Sequence, residues 1–169
     1  ASGDYSTAMG ISTTASGASS TAMGENTTAS DFGSTVIGQF NSSGSTVTNS
    51  ATEFNTANTA FVIGNGTASN AKSDAFKVMF NGDATVSNDL TVSGDVVVSS
   101  DARLKSNIVS LGSTLSRLLL IDGKSYEMKG KQKIGVLAQE IKEVFPELVS
   151  EDDNKMLAVN YQGLVPVLI

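Results

Sequence analysis

Five polar residues fall within eight positions of this chain: Ser100, Asp101, Arg103, Lys105 and Asn107 spell S-D-x-R-x-K-x-N. The chain holds no Cys and no His. That excludes zinc fingers, disulfide scaffolds, Ser-His-Asp triads and His-based metal sites together. Any catalysis therefore falls to Ser, Lys, Tyr, Asp or Glu. Taken alone, the five residues leave a simpler arrangement open, in which Ser100 caps a helix and Asp101 favours its N-terminal dipole. Arg103, Lys105 and Asn107 then merely face solvent. Tyr126 and Tyr161 read as packing residues, and the methionines, Met9 and Met23 included, as core fillers rather than ligands. Segments such as NGDATVSND match neither the EF-hand loop nor the RTX nonapeptide, so no metal site is expected, and no cofactor.

The elements around this motif differ sharply on its two sides. Upstream, a 14-residue period is visible in STAMGISTTASGAS from Ser6, STAMGENTTASDFG from Ser20 and STVIGQFNSSGSTV from Ser34. Ala8, Ala22 and Val36 align, as do Met9, Met23 and Ile37, then Gly10, Gly24 and Gly38; AFVIGNG from Ala60 is a weaker echo. Each repeat offers a short apolar pair, a Gly suited to a positive-φ turn, and Ser or Thr able to bond the backbone locally. One repeat cannot bury a core, so stacked coils of a β-solenoid, sharing an apolar seam with other chains, are expected. A flexible Ser/Thr/Gly stalk is the rival that composition alone suggests. From Thr85 to Ala102 the period shortens to six in TVSNDL, TVSGDV and VVSSDA, with Val86, Val92 and Val98 in one column and Leu90 and Val96 in another. Short strands with tight turns are expected there, as a narrow β neck or a hairpin meander.

Downstream the apolar period becomes helical. Ile108, Leu111, Leu115, Leu118 and Leu119 predict a helix with Ser113 as a candidate N-cap, and Asp122-Gly123 a turn into a strand over 125–129. A strand is expected over 134–138, and a second helix through Ile141, Val144, Phe145 and Leu148 that Pro146 closes. A strand over 157–161 and an apolar helix from Leu164 complete a small α+β unit of some 70 residues, which needs oligomer contacts for a sufficient core. The chain starts at Ala1 and stops inside the run from Leu164 to Ile169, as expected of a fragment or processed product.

Charge follows the same division. Residues 1–99 carry 2 Lys/Arg against 8 Asp/Glu, and residues 100–169 carry 9 against 9, which sums to the net charge of -6. With no Lys or Arg before Lys72, the first part cannot neutralise phosphates, so neither nucleic acid nor an anionic membrane is expected as a partner. No apolar run reaches the length of a membrane span.

Two resemblances follow from these motifs. The 14-residue repeats, over about residues 5–66, resemble the head repeats of trimeric autotransporter adhesins. That implies a left-handed parallel β-roll with three chains side by side. The S-D-x-R-x-K-x-N motif, IGVLAQEIKEVFPELV from Ile134 and LAVNYQGLVPVL from Leu157 together resemble the intramolecular chaperone domain of endosialidase-type phage tail spikes. The same domain occurs in some bacterial fibres and in a membrane-tethered animal transcription factor. No sialidase domain is recognisable, so that activity is not implied.

The second resemblance implies a Ser-Lys dyad that cuts the chain once the trimer has assembled. Ser100 is then the nucleophile, Lys105 the general base and Ser99 to Ser100 the scissile bond, with Asp101, Arg103 and Asn107 orienting the dyad or donating to the oxyanion. Lysine begins near pKa ~10.4 and needs a fall of roughly 3 units to act near neutrality, which burial or a neighbouring positive charge such as Arg103 can supply. A separation of five puts the two side chains on opposite faces of a strand and about 140° apart on a helix, so a turn, or a Lys105 from another chain, must join them. The expected architecture is thus mixed: a trimeric β-solenoid or β-roll head over 1–66, a hexad β neck over 67–99, and an α+β chaperone over 100–169. The expected function is a homotrimeric bacterial-surface or phage tail fibre, extracellular, that cuts itself once and turns over no other substrate. The alternative is a tip that binds a receptor or glycan, on a host or prey surface, with a non-catalytic trimerisation cap.

Overall fold

The computed structural model describes residues 1–152 and 155–169. It divides into two compact units, Ala1–Val97 and Val98–Ile169, and is mostly β with few helices. The first unit contains β1 (Thr7–Ile11), β2 (Thr14–Ala15), β3 (Thr21–Glu25), β4 (Thr28–Ala29), β5 (Thr35–Gln39), β6 (Thr59–Asn65), β7 (Asp74–Met79) and β8 (Ala84–Val86). The 14-residue columns of the sequence become a parallel ladder, with Ala8 paired to Ala22 and Ala22 to Val36. The echo at residue 60 joins the same ladder, Val36 pairing with Val62 and Gly38 with Gly64. Thr14 likewise pairs with Thr28 in the second, two-stranded sheet of β2 and β4.

Alternation along each strand decides which residues meet. Ala22, Val36 and Val62 point inward onto Ala15 and Ala29, with Ala8 packed against them. This core is narrow because its members are mostly alanine, so the two sheets lie close. The chain turns at left-handed residues spaced every seven positions: Tyr5, Ser12, Ser19, Asn26, Gly33 and Phe40. Five of these six are not glycine, although left-handed backbone costs such residues free energy. Gly10, Gly24 and Gly38 serve differently, lying within β1, β3 and β5 at φ 125°, 121° and 96°. There the backbones approach so closely that a Cβ on Gly24 would lie 2.0 Å from the Gly38 carbonyl oxygen.

Buried polar side chains replace the ladder where the repeat is interrupted between β5 and β6. Asn41 accepts from Thr28 N and donates to Thr28 O, both at 2.8 Å, continuing the β4 edge as a strand would. Asp31, fully buried, accepts from Thr48 N at 2.6 Å and Thr59 N at 2.8 Å, which ties the inserted loop to β6. Each bond satisfies a group that burial would otherwise leave unpaired.

On the outer face the pairing aligns Met9, Met23, Ile37, Ile63, Phe76 and Val86 in one row across all six strands of the larger sheet. Met9 is 61% exposed, so it is no core filler within one chain. The neck expected over 67–99 also takes a different form. Strand β7 pairs antiparallel with β6 and β8 antiparallel with β7, while residues 87–99 have no regular strand and Leu90, Val92, Val96 and Val98 stay exposed. A lone hexad strand in one chain has no edge with which to complete its ladder.

The second unit contains α1 (Leu115–Leu118), β9 (Lys124–Met128), β10 (Lys131–Gly135), α2 (Ala138–Val144), β11 (Val149–Glu151) and β12 (Leu157–Val159). Lys129 and Gly130, at φ 52° and 72°, form the hairpin turn between β9 and β10, as positive φ at both central residues favours. The core is Ile141, Phe145 and Val167, with Leu118, Ile121, Val136, Val144, Leu148, Val149 and Val159 against it. Arg117 stacks 3.9 Å above the Phe145 ring centroid and donates to the Val144 carbonyl.

Four expectations for this unit are corrected. The first helix is one turn long rather than running from Ile108, because Gly112 takes a left-handed φ of 65° and the residues before it face solvent. Its cap position is Thr114 rather than Ser113, and the Thr114 hydroxyl donates instead to Val167 O at 2.6 Å. The strand expected over 134–138 ends at Gly135 and leaves Ile134 86% exposed, since alternation turns Lys133 and Gly135 inward. The apolar segment after Leu164 is a 3₁₀ helix over Gln162–Val167 that contains Pro166, which lacks an amide hydrogen for a regular α-helix.

The close ladder at the repeat glycines makes a direct prediction. Gly24→Ala places a Cβ against backbone at a φ that side chains rarely adopt, costing about 2 kcal/mol or more and lowering the melting midpoint of the first unit by roughly 5–15 °C. Gly94→Ala, with nothing within 4 Å of its added Cβ, leaves that midpoint in place. Circular dichroism melts of both variants check this.

Candidate functional site

The segment from Ser100 to Asn107 solves its spacing problem with one tight turn. Asp101 sits in extended backbone at φ -62°, ψ 135°, and the next three residues, Ala102–Leu104, form a 3₁₀ turn. Leu104 N donates to Asp101 O and Lys105 N to Ala102 O, each at 3.1 Å. Lys105 then leaves in extended conformation at φ -121°, ψ 147°. The reversal brings the Lys105 Nζ to 2.7 Å from the Ser100 Oγ, to which it donates. The contact forms within a single chain, so the turn alone is sufficient to join the pair.

Asp101, rather than Ser100, is the residue that caps this turn. Its Oδ1 accepts from Arg103 N at 2.8 Å and Arg103 Nε at 3.0 Å, while Oδ2 accepts from Arg103 Nη2 at 2.7 Å. The Arg103 side chain beside it, then the Arg103 backbone amide, hold the Asp101 carboxyl below its ordinary value. The carboxylate in turn raises the Arg103 guanidinium above its own. Arg103 is therefore ion-paired, which weakens it as the positive charge expected to act on Lys105. Asn107 contributes through its backbone: at φ 53° it occupies the left-handed region that Asn tolerates better than most residues. Among the described residues its side chain forms no hydrogen bond to Ser100 or Lys105.

Burial is the property this arrangement lacks. Ser99, Ser100 and Lys105 are all exposed, as is every residue from 81 to 113. A base must hold its lysine uncharged, and exposure to water favours the charged form. The chain therefore holds a hydroxyl–amine contact that is open to water. The two tyrosines lie elsewhere, lining a cleft with Val136, Leu157 and Val159, where the Tyr161 hydroxyl accepts from Val136 N at 3.3 Å. Tyr126 is half-buried there, whereas Tyr161 is 53% exposed and so does not pack as a core residue. Among the described residues no group of His, Cys, Asp and Glu is arranged to hold a metal ion.

Residues 100–150 match the family model described as chaperone of endosialidase, and residues 1–26 and 15–41 match two copies of the YadA head domain repeat. The chain thus carries a chaperone-of-endosialidase segment preceded by adhesin head repeats, in the order that its motifs indicate. The chaperone match begins at Ser100, the first residue of the motif. No curated protein matches the chain.

The Asp101 clamp has a definite pH response. A carboxylate whose pKa is lowered in the folded turn stabilises that turn above its unfolded value of ~3.9, and the contribution is lost as pH falls through the lowered pKa. Carboxyl-detected NMR should place the Asp101 midpoint below ~3.9. Arg103→Ala should move it upward, though not fully, because the backbone amide still donates. A midpoint indifferent to Arg103→Ala would remove the guanidinium as its main cause.

Proposed function

We propose that this chain is a piece of a homotrimeric surface or tail fibre whose last part guides trimer formation and then cuts the chain between Ser99 and Ser100. The observation that carries the proposal is the 2.7 Å contact of Lys105 Nζ with Ser100 Oγ, at the head of the chaperone-matching segment. The head is a β-solenoid, a reading supported by the parallel register with its constant 14-residue step. Residues 1–66 form that head and 100–169 the chaperone; 67–99 connect them, beginning with strands that extend the head sheet. Adhesin heads and tail fibres act outside the cell or on the virion, and the fibre belongs there.

Trimerisation is supported by what each chain leaves uncovered. The outer row from Met9 to Val86 and the exposed Val96, Val97, Val98, Ile108, Leu111 and Leu115 need apolar partners, and copies of the same chain supply them at matching heights. Assembly then dries the dyad. Lys105, uncharged, takes the Ser100 Oγ proton; the oxygen attacks the Ser99 carbonyl carbon and closes a five-membered ring. The Ser99–Ser100 C–N bond breaks as the Ser100 nitrogen takes up a proton, leaving an ester between the Ser99 acyl group and Oγ. Water hydrolyses the ester, giving a Ser99 carboxylate and a new N-terminus at Ser100. Each chain is cut once.

Light scattering should give a mass near three chains, and intact mass spectrometry should find the wild type split between Ser99 and Ser100. Ser100→Ala and Lys105→Ala should leave the chain whole, with cleavage slowed at least about a hundredfold. Leu115→Asp, which leaves the dyad untouched, should slow cleavage by weakening assembly. An uncut wild type at trimer mass would favour the receptor- or glycan-binding tip with a non-catalytic cap, and cleavage in Ser100→Ala would eliminate the nucleophile.

A further inference from the structure

We infer that Asp101 is a positioning residue for this self-cleavage: its carboxylate builds the turn that carries Lys105 back to Ser100. The inference rests on the self-cleavage reading and adds the group that sets its geometry. An extended chain would separate Cα atoms five residues apart by about 17 Å. In the structure the two functional atoms are 2.7 Å apart. The fold therefore depends on whatever holds three intervening residues in a 3₁₀ turn.

Packing does not hold it, because none of the turn's residues is buried. A single 3₁₀ turn has poor hydrogen-bond geometry and little stability of its own. What remains is local. The Asp101 carbonyl accepts from Leu104 N at 3.1 Å, and the Asp101 side chain receives three further donors, all from Arg103. Of these, the bond from Arg103 N caps the turn and the two guanidinium bonds fasten the Arg103 side chain back onto the cap. The cap is the part that sets the path of the chain. The guanidinium pair holds the Arg103 side chain on the Asp101 carboxylate.

Substitutions at Asp101 can separate the cap from the charge. Asp101→Asn and Asp101→Ser keep an oxygen that accepts from Arg103 N but lose the carboxylate, whereas Asp101→Ala loses both. Cleavage rates of the assembled protein should be measured across pH, with the mass checked by light scattering at each point. A positioning role lowers the plateau of the pH–rate profile; a purely electrostatic role moves the profile's midpoint and leaves the plateau. Asp101→Ala should lower the plateau about 10- to 100-fold. Asp101→Asn and Asp101→Ser should each stay within about fivefold of wild type, because both keep a cap acceptor. An Asp101→Ala plateau equal to wild type would overturn the inference, as would an Asp101→Asn as slow as Asp101→Ala. Ser100→Ala and Lys105→Ala run beside them keep the two failures apart. If either is still cut, or the wild type is not, the self-cleavage reading falls and the inference with it; if both stay whole while Asp101→Ala cuts normally, only the role of Asp101 falls.

Discussion

The narrowness of each chain's own core is the constraint on which the rest depends. Sheets built on Ala15, Ala22 and Ala29 lie close together and bury little apolar area per residue. Alternation then sends the larger members of each pair, Met9, Met23, Ile37 and Ile63, to the outside. The same economy holds in the second unit, where Ile141, Phe145 and Val167 form a small core and Leu104, Ile108, Leu111 and Leu115 remain in solvent. In the proposed account such a chain covers these exposed apolar groups with copies of itself, as a fibre does.

That constraint divides the chemistry into two conditions met by different parts of the system. Geometry is local: the capped turn after Asp101 brings Ser100 and Lys105 together within one chain. Dryness is not local, because the pair and its surroundings are exposed. In the proposed account a chain carries an aligned but solvated dyad until assembly removes the water. Cutting then reports that assembly is complete, since no change in the turn itself is required.

The legibility of these features in the sequence follows from how directly each rests on periodicity. The 14-residue columns gave the strands, their parallel register and even the echo at Val62 and Ile63, because identical pairing is what a stacked repeat needs. The left-handed corners were not legible: they fall on Tyr5, Ser12, Ser19, Asn26 and Phe40, residue types with no shared turn signature. The inward column and the outer Met row looked equally apolar in sequence, and only the alternation of the folded strands separates them. At the site, the spacing of Ser100 and Lys105 demanded either a turn or a Lys105 from another chain, and the motif named the residues. It did not assign the cap, because Ser and Asp are both good N-cap residues and only coordinates distinguish them. The helix drawn through Ile108 and Leu111 failed for a physical reason, since those residues have nothing in their own chain to pack against.

The dependence of self-cleavage on chain concentration tests the central claim most directly. Denatured chain refolded at a dilution series should be cut at a rate that rises with concentration and levels off once every chain is in a trimer, cut chains being found only at trimer mass. A concentration-independent rate in chains that remain monomeric would contradict the account, because it would show that one chain dries and activates its own dyad.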